Sequence, residues 1–323
     1  MSDHEGWTQR GYAALHQGDV EGAFAAGREL LGLQHSSGFE ILALAHAMRG
    51  EMDQAIDVLE NGVRKAPDVW ILWQLLGNDY SAVERFEEAF EAYERALQCE
   101  GVDADALGYN HGVALMRSGR IQQALARLEQ VSDEPPDGQL RVLVTGSRMN
   151  VLNQLGRHAE AETLGEREVD REHDERTRTP LAAVLAEQAW AVHARQGPRG
   201  RVLDLLKSAL GIDRSIENAQ RLLRELTGRL DPAGKGFRVL LHGEWPELAE
   251  DGREVDFYVT YHVVADSEDA AFRAAADFEP QELRASLRLE EVELMGDKPD
   301  ALTGVYHVSG YAFYPRGEAH GSG

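Results

Sequence analysis

The stretch "WILWQLLGNDYSAVERFEEAFEAYERALQCE", residues 70–100, decides the architecture. Trp73, Leu76, Gly77 and Tyr80 are spaced so that they share one face of a helix, and Ala89, Tyr93 and Ala96 do the same further on. The chain therefore writes two short amphipathic helices with small and aromatic residues at set places. The pattern recurs. Gly18, Gly50 and Gly119 each close a first helix and are followed five residues later by Ala23, Ala55 and Ala124; Glu84 holds the glycine's place before Ala89. Intervals of 32, 34 and 35 residues separate these points. Glycine at a helix end accepts the left-handed conformation that closes it, and a small residue where helices cross lets their backbones approach. Each pair leaves an apolar face that only a neighbouring pair can cover, so the pairs must stack.

Trp73, Leu76, Gly77, Tyr80, Ala89, Tyr93 and Ala96 resemble the signature of the tetratricopeptide repeat family. Residues 105–136 keep Gly112, Gly119, Ala124 and Pro136, with Gly108 in the tryptophan's place. Residues 36–67 keep Leu42, Ala43, Gly50, Ala55 and Pro67, and residues 4–35 keep Trp7, Gly11, Gly18 and Ala23. Two degenerate pairs follow, one marked by Gly156 and Ala161, the other by Gly197, so the resemblance covers roughly residues 4–213. "REHDERTRT" (171–179) reads as a charged connection, and residues 215–230 as an amphipathic capping helix with Leu222, Leu223, Leu226 and Leu230 on one face.

Beyond "DPAGKG" (231–236), expected to be a linker, the apolar period changes from 3.6 to 2. Phe237, Val239 and Leu241 alternate, as do Val255, Phe257, Val259, Tyr261 and Val263. "DSEDAAFRAAADF" is a helix capped by Ser267, and "LRLEEVELMG" and "TGVYHVSGYAFYP" are two more strands. The fold class is thus two-domain: an all-α repeat solenoid over 1–230, then a small α+β domain over 237–315 with an antiparallel β-β-α-β-β sheet and a disordered tail at 316–323.

The composition excludes several functions. Residues 236–323 hold 7 basic and 18 acidic side chains, and the whole chain carries a net charge of −23. A field of that sign repels nucleic acid and anionic lipid and would speed encounter with a basic partner, and it equally serves plain solubility. A single cysteine, Cys99, permits no internal disulfide and fits a reducing, cytoplasmic setting. "MSDHEGWTQRGYAAL" has no apolar run and does not read as a secretory signal.

Candidate chemistry is sparse. "GRLDPAGKGF" (228–237) misses the spacing of a phosphate-binding loop and lacks its Ser or Thr. His242, His262 and His307 fall on three strands, where imidazoles could meet as metal ligands, though no ligand spacing supports them. No nucleophile elbow occurs, and Cys99 reads as a packing residue. No cofactor, metal or catalytic residue is expected. In the family resembled, the first helices line a groove that holds partner peptides. That resemblance places Gln74, Asn78, Tyr109, Val113, Arg117, Asn150 and Gln154 inward, as amides, one aromatic and one cation. It implies a non-enzymatic scaffold or adaptor for a protein or peptide. Two rivals stand beside it: an immunity-type inhibitor whose acidic domain neutralises a basic partner, and a metal-dependent enzyme or sensor centred on the sheet.

Overall fold

The computed structural model describes residues 3–248 and 253–316. The chain divides into two units, Met1–Leu155 and Gly156–Gly323. In the first, helices α1 (Asp3–Gln17) and α2 (Val20–Gly32), α3 (Ser37–Met48) and α4 (Met52–Lys65), α5 (Trp70–Ala82) and α6 (Phe86–Ala96), and α7 (Ala104–Arg117) and α8 (Ile121–Leu128) form hairpins, followed by α9 (Gly138–Gln154). The first helices α1, α3, α5, α7 and α9 each also pack on the next, making a continuous wall.

The repeat signature has a direct physical basis. Ala23, Ala55, Ala89 and Ala124 are fully buried. At Gly77 a β-carbon would come within 2.6 Å of the buried Tyr93 ring, and at Gly112, the equivalent place one repeat on, within 2.6 Å of Leu128. The glycine therefore makes room for the large residue of the second helix. Gly18, Gly50, Gly119 and Gly156 close their helices with φ between 73° and 78°, and Glu84 adopts the same left-handed conformation at 62°. Gly108 leaves the space that Val131 fills, which explains why no tryptophan stands there. The loop after α8 is held by Arg148 of α9, whose guanidinium donates to the carbonyls of Leu128 and Val131 at 2.7 Å.

The second unit opens with α10 (His158–Val169), α11 (Glu175–Ala194), α12 (Arg199–Ile212) and α13 (Glu217–Thr227). Two details depart from expectation. The charged connection 171–179 is helical from Glu175: Asp174 and Thr177 form a capping box, and Pro180 lies inside α11 near its start. The left-handed residue after α11 is Gln196 (φ 59°), not Gly197, which packs on Val192.

The sheet comprises β1 (Lys235–Glu244), β2 (Val255–Ala265), β3 (Arg288–Asp297), β4 (Gly304–Val308) and β5 (Ala312–Pro315), all pairs antiparallel. The order is β3-β1-β2-β4, with β5 also against β2. The single strand expected over 303–315 is split in two, because Ser309 turns its hydroxyl onto Gly310 O and accepts from Thr260 N. Helix α14 (Glu268–Phe278), capped by Ser267 as expected, lays Ala271 and Ala275 on Phe237, Val239, Phe257, Val259 and Val263. A short turn of helix, α15 (Gln281–Arg284), follows it.

Residues 228–236 are tied to this sheet. Thr303 N donates to Arg229 O (2.9 Å), Leu230 bridges to Leu302, and Lys298 N donates to Gly234 O (2.7 Å). Arg224 of α13 donates to Val305 O (2.7 Å). Arg214, between α12 and α13, meets the fully buried Glu279 carboxylate at 2.6 Å, and Tyr311 donates to the same carboxylate at 2.6 Å; Tyr261 adds its hydroxyl. Of the expected tail 316–323, Arg316 binds Glu254 and Asp256 at 2.8 and 2.9 Å, and the rest lies outside the described residues.

Two stability experiments check this account. Gly77→Ala is expected to cost about 1–3 kcal/mol through overpacking on Tyr93, whereas Glu84→Gly is expected to add up to about 1 kcal/mol by relieving the left-handed residue; urea unfolding reads both. Arg214→Met is expected to cost about 3–5 kcal/mol, because Glu279 is left as a buried charge without its cation, and the further change Glu279→Leu is expected to recover part of that loss.

Candidate functional site

The residues ten and six places before each left-handed residue occupy equivalent positions on successive first helices. They are Thr8 and Tyr12 on α1, Glu40 and Leu44 on α3, Gln74 and Asn78 on α5, Tyr109 and Val113 on α7, and Gly146 and Asn150 on α9. Because consecutive first helices pack together, these positions form one continuous strip. Five of the seven predicted residues belong to it; Arg117 and Gln154 stand at the helix ends beside it and are exposed, while the other five are half-buried.

Most of these side chains are held by neighbours. Asn78 Oδ1 accepts from Tyr93 OH at 2.9 Å, which leaves its amide N–H groups directed by that bond. Arg117 Nη1 reaches Ser81 Oγ (3.3 Å), linking α7 to α5. Tyr109 is hydrogen-bonded to Ser147 of α9, and burial pushes its hydroxyl above the usual tyrosine range. Gln154 Nε2 donates to Asn150 Oδ1 at 2.6 Å. Gln74 differs: among the described residues its buried Oε1 meets no donor, and the buried Thr8 Oγ1 has no partner either. An unmet buried acceptor costs on the order of 1–3 kcal/mol.

Sequence reasoning missed the N-terminal part of the strip, where Tyr12 donates to Glu40 and burial raises the Glu40 carboxyl. Counting back from Gly18 and Gly50 would have found both. It also missed Asp79, whose carboxyl burial pushes up to about 6. Nearby His111 stacks between Phe90 and Tyr93, and burial, with Arg127 beside it, lowers its imidazole to about 4.

The three strand histidines do not gather. His262 and His307 sit on paired positions of β2 and β4, ring centroids 5.3 Å apart. His242 lies four residues along the ladder, stacked on Tyr258 and set between Asp256 (3.2 Å) and Glu290 (3.5 Å). Among the described residues no group of three His, Cys, Asp or Glu side chains is placed to hold a metal. Cys99 contacts the Pro67 and Arg95 carbonyls, and burial pushes its thiol up, away from the reactive thiolate. Among the described residues no helix is long and apolar enough to cross a membrane.

The opposed shifts of Asp79 and His111 make a pH test. Asp79 holds its proton more tightly when folded, so its contribution is present below about pH 4 and is lost as pH rises toward 6. His111 prefers to be neutral when folded, so its contribution is present above about pH 6.5 and is lost as pH falls toward 4. The two cancel over the shared window. Asp79→Asn is expected to unmask the histidine: the urea midpoint of the variant should fall more steeply than that of the parent between pH 6.5 and 4.5, while at pH 7 the variant is the more stable by about 1–2 kcal/mol.

No family model matches the chain. Over 90 residues it is 33% identical to the peroxisomal targeting signal receptor of Saccharomyces cerevisiae, a match spanning 28% of this chain and 14% of that receptor. Among solved structures it resembles PilF of Pseudomonas aeruginosa (TM-score 0.55, 14% identity, 69% of this chain and 97% of the other). It also resembles the APC/C Cut9–Hcn1 hetero-tetramer structure (0.54, 13%, 68% and 42%) and YrrB, described as a TPR protein with an unusual peptide-binding site (0.46, 16%, 61% and 96%). The repeated motif, the helix pairing it produces and the likeness to the PilF and Cut9–Hcn1 structures give the helical hairpins of this chain a tetratricopeptide-repeat-like fold.

Proposed function

We propose that the protein is a non-enzymatic scaffold or adaptor that captures an extended peptide or protein segment along the first-helix strip. The observation that carries this reading is Gln74 Oε1, a buried acceptor that meets no donor among the described residues, on a strip that also presents the amides Asn78 and Asn150. Amides both donate and accept, so Gln74, Asn78 and Asn150 suit the alternating N–H and C=O groups of an extended backbone. Tyr109 and Val113 supply the apolar contact, and Arg117 a cation at the rim. The relative named as a receptor for a targeting signal accords with peptide recognition. The acidic sheet domain provides a second contact surface for a basic partner, supported by the 18 acidic side chains among residues 236–323. A cytoplasmic setting fits the single cysteine.

Panning a displayed random peptide library on the full chain tests this. Selected peptides are expected to bind Gln74→Ala and Asn150→Ala about 5- to 30-fold more weakly, the loss of a typical hydrogen bond or two, without change in the unfolding midpoint of Asn150→Ala. Peptides that bind both variants as tightly as the parent would remove the strip from consideration.

A further inference from the structure

Among the described residues, strand β3 lies at the free end of the sheet order and pairs with β1 alone. Apart from Val292 and Gly296, all of its residues are exposed, and Leu289, Leu294 and Met295 are exposed by 41%, 54% and 57%. Helix α14 packs over β1, β2 and β4, and α15 over β1. The ladder to β1 is interrupted near Met295 and Glu290, so Glu291–Leu294 is the regular run. Along that run the two faces differ sharply. Val292 and Leu294 stand opposite Val239 and Phe237 on the helix-covered face, and Glu291 and Glu293 opposite Leu240 and Arg238 on the other.

We infer that the free edge of β3 docks an extended basic segment of a partner protein, added to the sheet as its next strand, with basic and apolar residues alternating. This rests on the acidic second contact surface proposed above and specifies where it lies and what it takes. A free edge offers a row of N–H and C=O groups, which supplies affinity for any extended chain, and the alternating side chains supply the choice. The sheet already shows the chemistry on its inner side: Arg238 of β1 binds both Glu291 (3.1 Å) and Glu293 (2.8 Å). One cation against two carboxylates leaves negative charge for a Lys or Arg arriving from the open side. On the opposite face, Leu294 and Val292 would meet the partner's apolar residues.

A second copy of the chain is the other natural occupant of such an edge, and the charges disfavour it. Every face-matched antiparallel self-pairing that brings two or more residues of Glu291–Leu294 together sets a glutamate opposite a glutamate, which is destabilising. The edge therefore repels its own kind and admits a strand of the opposite sign.

The test uses the full chain and an eight-residue peptide alternating Lys and Val, labelled for fluorescence anisotropy. A block peptide of four Lys then four Val serves as the control. The alternating peptide is expected to bind at ~0.05 M salt, to weaken at least tenfold at ~0.5 M salt, where exposed charges are screened within a few ångströms, and to weaken at least tenfold in Glu291→Gln/Glu293→Gln. Hydrogen exchange is expected to slow at residues 291–294 on binding. Equal binding of the block peptide, or an unchanged affinity in the double variant, would overturn the proposal, as would the absence of binding. Protection confined to α5, α7 and α9 would also overturn it while upholding the first-helix strip. Protection of β3 that grows with protein concentration alone, with dimers in sedimentation, would assign the edge to a second copy instead.

Discussion

The first unit depends on how closely two helices of a hairpin can approach. Ala23, Ala55, Ala89 and Ala124 leave no side-chain bulk at the crossing, and Gly77 and Gly112 admit Tyr93 and Leu128 into the opposite helix surface. At these two crossings the bulk comes from the second helix, and the first helix presents its other side to the strip. That asymmetry is what aligns α1, α3, α5, α7 and α9 as a wall and puts their polar residues in a row. Scaffold and strip are thus two faces of one packing constraint, carried by different residues.

This division explains what could be read in advance. Residues that serve packing repeat, because every hairpin meets the same steric demand; Gly50, Ala55, Gly77 and Ala89 were therefore legible. Alternation likewise marked β1 and β2, whose Phe237, Val239, Phe257 and Val259 face α14. The signals failed where a local bond overrode the pattern. Gln196 takes the left-handed place beside an available Gly197, and Ser309 breaks the last strand by bonding to Gly310 and Thr260. Asp174 starts α11 with a capping box ahead of Pro180, which removes one hydrogen bond from the helix's second turn without ending it. In the strip, Gln74 and Asn150 were placed by analogy with the repeat family, but nothing in the sequence could show that Gln74 lacks a donor or that Asn78 is held by Tyr93. Partnership is a property of distances between hairpins, and sequence spacing alone does not contain it.

The second unit joins its helices to its sheet with polar rather than purely apolar contacts. Arg224 caps a strand carbonyl, Thr303 holds the chain at Arg229, and Arg214 reaches into the sheet's covered side to Glu279. Apolar surfaces slide at little cost, whereas a buried ion pair with two tyrosine hydroxyls has one geometry. The sheet is therefore fixed in position on α12 and α13, while β3 takes no part in the ion pair and stands at the end of the strand order among the described residues.

The buried pair also carries a direction in time. Arg214 leaves the ribosome 65 residues ahead of Glu279, roughly 3–13 seconds at ordinary rates of synthesis. A guanidinium waiting in water costs nothing, and it stands on helices that can already have folded. The carboxylate, arriving later on a sheet that closes around it, finds its counterion in place. With the order of the two elements reversed along the chain, the sheet would face the choice of burying a lone charge or staying open until the helices emerged.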